Sequence, residues 1–226
     1  MGIEQFTEQE FQAKFARIIK RMTLGKRPST HNAKAYILGG QSGAGKSSIH
    51  ELLRFENGSN IIAIDGDTFR VDHPRARTIS QVYGKADVKY TAAFAGRVVE
   101  TLIDQLSDAN YNLIIEGTLR TATTPLKTAA LLKEKRYEVN LYAMAVRPEL
   151  SYLSTLQRYE EMYFIKPTLA RATPKEHHDL IITKYAQNLD VVLQAPDITA
   201  VVLVKRDMVP IYNSADTPDV LPSTII

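Results

Sequence analysis

Gly40-Gln41-Ser42-Gly43-Ala44-Gly45-Lys46-Ser47 fits the spacing G-x-x-x-x-G-K-[ST], and few stretches so short leave a chain so little choice of fold. By average residue usage, such a match arises by chance in on the order of one in a hundred chains of this length. Its setting makes chance a poorer account still. Ala35-Tyr36-Ile37-Leu38 before it is an apolar run ending in Gly39-Gly40, as a buried strand would be, and Ser48-Ile49-His50-Glu51-Leu52-Leu53 after it reads as a helix. A strand, a glycine-rich turn and a helix start place backbone N–H groups and the positive end of the helix dipole at one point. Gly40, Gly43 and Gly45 let the backbone curl there, and Gln41, Ser42, Ala44 and Ser48 complete a nucleotide-binding stretch. Lys46 is expected to reach the β- and γ-phosphates of ATP and Ser47 to offer its hydroxyl to Mg²⁺.

The remaining chain repeats the same alternation. Apolar runs recur at Ile61–Ile64, Leu113–Ile115, Leu141–Val146 and Ala200–Val204. Helical patterns lie between them: from near Lys89 toward Ser107, from a cap at Thr124 with Pro125 in the first turn, from Glu149 to Phe164, and from a capping box at Thr173-Pro174-Lys175-Glu176. Thr7-Glu8-Gln9-Glu10 is another capping box, ahead of a helix whose apolar face carries Phe11, Phe15, Ile18, Ile19 and Met22. Strands apolar on both faces, alternating with helices, predict an α/β fold of the three-layer P-loop kinase kind, with a mostly parallel sheet and a helical lid.

The 226 residues suit a single domain, residues 1–226, with an N-terminal helix and basic loop at 1–34, a lid region at 149–194 and a tail at 214–226 expected to fray. No apolar run is long enough for a membrane helix, no apolar leader opens the chain and there is no cysteine, so disulfides, thiolate nucleophiles and cysteine zinc sites are excluded and a cytoplasmic place is expected. The net charge of +3 is too small to argue for nucleic-acid binding. Residues 1–34 nevertheless carry seven bases against three acids, either a solvated helix face or a docking surface for an acidic partner.

Which reaction the phosphate loop serves is to be read at the strand ends. The base-recognition sequence N-K-x-D of guanine-binding switch proteins is missing. Ile64-Asp65-Gly66-Asp67 and Ile115-Glu116-Gly117-Thr118 put carboxylates just past two buried strands, where open α/β sheets bind ligands. Transfer of a phosphoryl group to a small molecule needs a base at the acceptor hydroxyl and cations over the transferring group. Strand alternation points Asp65 and Asp67 the same way; Asp67, further into the crevice, is the favoured base. Glu116 would hold Mg²⁺ through water or bind the acceptor. Arg158, in a helical segment, and Arg171, before the next, fit a lid whose arginines act on closure. The five histidines are weak signals, and His73 reads as a turn residue.

Taken together, Gly39–Ser47, Ile64–Arg70, Tyr111–Thr121, Ser151–Glu161 and Ala170–Asp179 strongly resemble the zeta toxin family of epsilon–zeta toxin–antitoxin systems, in its PezT-like branch, over roughly residues 5–213. The resemblance implies a kinase that uses ATP and Mg²⁺ to phosphorylate the 3′-hydroxyl of the amino sugar of UDP-N-acetylglucosamine, which poisons peptidoglycan precursor synthesis. It makes Lys46 the phosphate-loop lysine, Asp67 the base, and Arg158 and Arg171 the phosphate-clamping arginines. It adds Glu100, Glu116, Thr118, Arg120 and Thr128 to Asp67 as sugar-nucleotide contacts; nothing in the residues alone singles out Glu100 or Thr128. It also implies an epsilon-type antitoxin that inserts a helix into the ATP crevice, for which the basic N-terminal region is a candidate contact. Several family members continue past the equivalent of Ser214 with helical segments. The rivals are a P-loop kinase of another small molecule (an antibiotic, a simple sugar or a nucleotide) and a binding protein holding ATP as a structural ligand; Asp67, Arg158 and Arg171 together speak against the latter.

Overall fold

The computed structural model describes residues 2–165, 170 and 172–226. At its centre is β1 (Lys34–Gly39), between β3 (Leu113–Glu116) and β4 (Glu138–Met144). β2 (Ile62–Ile64) extends the sheet beyond β3, while β5 (Ala200–Val204) and β6 (Pro210–Asn213) extend it beyond β4, in the order β2-β3-β1-β4-β5-β6. The first five strands are parallel, with Leu38 opposite both Glu116 and Tyr142, and β6 alone is antiparallel. This is the α/β layering that the apolar runs predict.

Alternation along β1 divides the core. Ile37 enters the larger apolar cluster with Phe11, Phe94, Leu102, Leu141 and Ile181. Leu38 enters the smaller one with Ile49, Leu53, Ile114 and Met144. Among the described residues, seven α-helices surround the sheet: α1 (Glu8–Thr23), α2 (Lys46–Glu56), α3 (Ala76–Tyr83), α4 (Asp87–Asp108), α5 (Thr123–Glu134), α6 (Pro148–Ile165) and α7 (Lys175–Leu193). None of the described helices is long and apolar enough to cross a membrane. α1 starts with the expected capping box: Thr7 Oγ1 accepts from Glu10 N at 3.2 Å, and Glu10 Oε2 accepts from Thr7 N at 2.8 Å. Its Phe11, Phe15 and Ile18 are buried, with Ile19 and Met22 packed at the edge of the same cluster.

Three local expectations need correcting, and one strand, β6, lies where none is expected. α5 begins at Thr123 with Ala122 at its cap position, so Thr124 lies inside the helix and caps nothing. α7 has Pro174 at its N-cap in an extended conformation, which leaves Thr173 outside the helix and no side-chain cap. β6 carries no apolar signature, because an edge strand that starts with Pro and is half exposed has only Tyr212 to bury. The tail is not frayed: Ser214 Oγ accepts from Val201 N at 2.9 Å, Tyr212 donates its hydroxyl to Val220 O at 2.7 Å, and Asp190 Oδ1 accepts from Ser223 N at 2.9 Å.

Candidate active site

The phosphate loop turns at Ala44 N→Gln41 O (3.1 Å) and Ser48 N→Gly45 O (3.0 Å) between β1 and α2. Gly43 and Gly45 have φ of 75° and 100°, a left-handed conformation open to glycine at little strain. A β-carbon on Gly43 would also collide with the carbonyl oxygen of Ser151, so α6 crosses the loop too closely for any side chain there. Gly45 is the N-cap of α2, which has no side-chain cap and no acid in its first turn. The first N–H groups of α2 are thus uncovered and the dipole end unneutralised, as an anion site requires. Lys46 folds back so that Nζ donates to Gly40 O at 2.9 Å.

A cavity of about 890 Å³ opens over this loop. Ser42, Gly43, Ala44, Gly45, Lys46, Ser47 and Ser48 line it; Gly40 and Gln41 do not. Gln41 is 3% exposed and belongs instead to a separate pocket of about 190 Å³. The expected convergence of strand-end acids occurs, since Asp65, Asp67, Glu116 and Thr118 line the large cavity, as does Arg158. Burial draws the Lys46 ammonium below its ordinary value; Glu116 and Asp65 pull it back up, and Arg158 adds to the lowering.

The two aspartates do not share a strand face. After β2 the chain enters a 3₁₀ turn, Gly66–Asp72, so strand alternation no longer applies. Asp65 caps that turn, its Oδ1 accepting from Asp67 N at 3.0 Å. Burial, with Glu116 close by, pushes its carboxyl above the usual aspartate range. The Asp67 side chain is 73% exposed, and its Oδ1 accepts from Arg70 Nε at 2.7 Å. Asp67 is therefore the carboxylate open to the cavity, while Asp65 is committed to the turn.

Glu116 has a partner that sequence reading missed. His50 Nε2, one turn into α2 from Lys46, lies 2.8 Å from Glu116 Oε1 as a close charge contact without well-aligned hydrogen-bond geometry. Burial would raise the Glu116 carboxyl, but contact with His50 and the charge of Lys46 outweigh it and hold it below the ordinary glutamate value. Two arginines were also missed. Arg70 lines the cavity and donates through Nη1 to Val88 O at 2.8 Å. Arg206, from the turn between β5 and β6, lines it from the other side and donates through Nη2 to Gly43 O and to Ser154 Oγ, the latter at 2.8 Å. Arg70 closes the stretch Ile64–Arg70 and His50 follows the phosphate loop directly, yet the sequence alone gives neither a role, and Arg206 is brought in by folding from a distant stretch.

The sugar-nucleotide residues implied by resemblance are divided. Asp67, Glu116 and Thr118 line the cavity. Glu100 is exposed on α4, next to cavity-lining Val99; Arg120 is exposed beyond β3; Thr128 is half-buried on α5; none of these three is in the cavity wall. Arg171 lies outside the described residues.

The Zeta toxin family model matches residues 19–217. Toxin PezT of Streptococcus pneumoniae is 48% identical over 216 residues, which is 96% of this chain and 85% of that protein. Toxin zeta of Streptococcus pyogenes is 38% identical over 221 residues, 98% of this chain and 77% of that protein. A structure solved for the PezAT chromosomal toxin–antitoxin system of Streptococcus pneumoniae superposes with a TM-score of 0.91 at 42% identity, covering 100% of this chain and 88% of that one.

Proposed function

The chain belongs to the zeta toxin family, and from that premise we propose that it is an ATP-dependent kinase phosphorylating the 3′-hydroxyl of the amino sugar of UDP-N-acetylglucosamine, a toxin that starves peptidoglycan precursor synthesis. The observation that carries this reading is the meeting of Lys46, Asp67, Glu116 and Arg158 in one cavity over an open helix N-terminus.

The residues fit the nucleotide that the family implies. Left-handed glycines, uncovered N–H groups and a lysine drawn below its usual charge preference form a cradle that an anion would relieve. When bound, ATP with Mg²⁺ supplies the transferable phosphoryl group and offsets part of its charge. Lys46 and the start of α2 would hold phosphate oxygens, and the Ser47 hydroxyl would ligate the metal. Asp67 takes the proton from the acceptor hydroxyl, with Arg70 holding its carboxylate in place. Glu116 and Thr118 orient the acceptor, and Glu100, Arg120 and Thr128 extend its contacts outward. Arg158, joined by Arg171, offers a planar fork to the oxygens of the group in flight.

As the related toxin of Streptococcus pneumoniae was solved within a toxin–antitoxin system, a cognate epsilon-type antitoxin is the partner we assign, in the cytoplasm where the sugar nucleotide is found. Mass spectrometry of UDP-N-acetylglucosamine incubated with the protein, ATP and Mg²⁺ tests the reaction. A gain of one phosphoryl group is expected; no gain, with transfer to a simple sugar or an antibiotic instead, would overturn the substrate.

A further inference from the structure

A chain of buried polar side chains runs behind the phosphate loop, and the proposed reaction uses none of it. Gln41, inside the loop motif, is 3% exposed; Ser151, in the first turn of α6, is 0% exposed; His178, in the first turn of α7, is 1% exposed. Gln41 Nε2 donates to Ser151 Oγ and to Val146 O, both at 3.1 Å. Ser151 Oγ is also 2.9 Å from His178 Nε2 and donates to Pro148 O at 2.9 Å. The Tyr152 ring packs on the imidazole with centroids 5.3 Å apart.

Apolar side chains of similar volume would pack these positions at least as stably. What a bonded buried network adds is a single geometry, since each donor must meet its acceptor and an unpaired one is costly to leave; here Ser151 Oγ is the shared partner, while His178 Nδ1 makes no hydrogen bond and lies 3.5 Å from Asp179 Oδ1. The geometry held here is that of the loop against the root of α6. A second tie repeats the link: Arg206 bridges Gly43 O and Ser154 Oγ. Ser154 stands one turn before Arg158 on the same helix face, and both line the cavity.

Resting on the reading of the loop as the phosphate site, we propose that Gln41 and His178 are positioning residues which lock α6 to the phosphate loop through Ser151, so that Arg158 is set against the bound phosphates and occupancy of the loop is felt along α6. Neither touches the reactants. A displacement of about 1 Å in groups remote from the chemistry can cost on the order of 10²-fold in rate.

The test is hydrogen exchange of the full chain with and without ADP and Mg²⁺, in wild type, His178→Leu and His178→Gln. In wild type and in His178→Gln, whose amide can still meet Ser151 Oγ, ADP should slow exchange in residues 40–48 and also in residues 148–158. In His178→Leu the slowing should persist in 40–48 and vanish from 148–158. In the transfer assay, kcat of His178→Leu should fall about ten- to a hundred-fold with KM for UDP-N-acetylglucosamine within about two-fold, and His178→Gln should restore it. Ser151→Ala, which removes the shared hydroxyl with little change of shape, reads the same link should His178→Leu not fold. A purely structural role predicts a lower melting temperature with the ligand response of α6 and kcat intact; that result in either variant overturns the proposal and leaves the phosphate site standing. If ADP fails to protect residues 40–48 in wild type, both fall.

Discussion

The two walls of the cavity are fastened by different means. The phosphate wall rests on glycines that admit no side chain and on the buried chain Gln41–Ser151–His178. The proposed acceptor wall, the 3₁₀ turn with Asp67 and Arg70 and the chain that follows it, is tied to the N-terminal region in part by pairs at the surface, Arg21–Asp72 at 2.9 Å and Arg75–Glu10 at 3.0 Å, with Arg97 of α4 pairing Glu8 at 2.5 Å beside them. Buried groups join them as well: Phe69 of the turn lies in the larger apolar cluster with Phe11 and Phe15, and His73 is buried, its Nδ1 accepting from Arg75 N at 3.0 Å, so that its ring proton sits on Nε2, 3.1 Å from Glu4 O. Exposed pairs are screened by salt and contribute little each, whereas buried bonds are not screened. The bonds behind the phosphate loop are thus little affected by salt, while part of the fastening on the other side responds to it.

The sharpest way to break that contrast is at the phosphate loop. Lys46→Ala should remove transfer to below detection, a loss beyond about 10³-fold, with circular dichroism unchanged; retained activity would refute the phosphate-loop assignment. Asp67→Asn attacks the opposite wall and should lower kcat on the order of 10²–10⁴-fold, as loss of a general base does, while nucleotide affinity measured by calorimetry stays put. If Asp65→Asn were the crippled variant instead, the turn-capping aspartate would be the base. Gly43→Ala should weaken nucleotide binding by at least about ten-fold, because the left-handed backbone and the Ser151 carbonyl both oppose a β-carbon; wild-type affinity would show the loop to be looser than described.

The smallest effect belongs to the acceptor wall and to pH. Burial holds the His73 imidazole below its ordinary pKa. Its neutral form is favoured by folding, so its contribution is complete above the unfolded value of about 6.5 and is lost as pH falls below it. Thermal melts from pH 8 to pH 5.5 should decline by a few degrees, and His73→Asn should flatten that decline. A wild-type melting temperature independent of pH across this window would remove His73 as a fastener.

The same contrast governs what could be read without a structure. Phosphate binding depends on a local shape, so a strand, three glycines and a lysine in sequence disclose it. The parallel strands are buried on both faces and announce themselves as apolar runs. β6, half exposed and starting with Pro210, has no such run. His50, Arg206 and His178 gain their roles from partners far along the chain, Glu116, Gly43 and Ser151, and spacing carries no sign of them. On the acceptor side, Glu100 and Thr128 come from family resemblance alone.

The helix behind the loop is lightly moored. α2 buries only Ile49 and Leu53, in the smaller of the two apolar clusters. Segments with so little apolar anchorage open locally at a fraction of the free energy of global unfolding. The groups assigned to phosphate lie at the start of this helix, so any opening of α2 would dismantle the proposed site, and a ligand that binds only the closed form suppresses opening by mass action. Bound nucleotide would therefore shield α2 from proteases as well as serve the reaction, and its removal would leave this helix more open to cleavage.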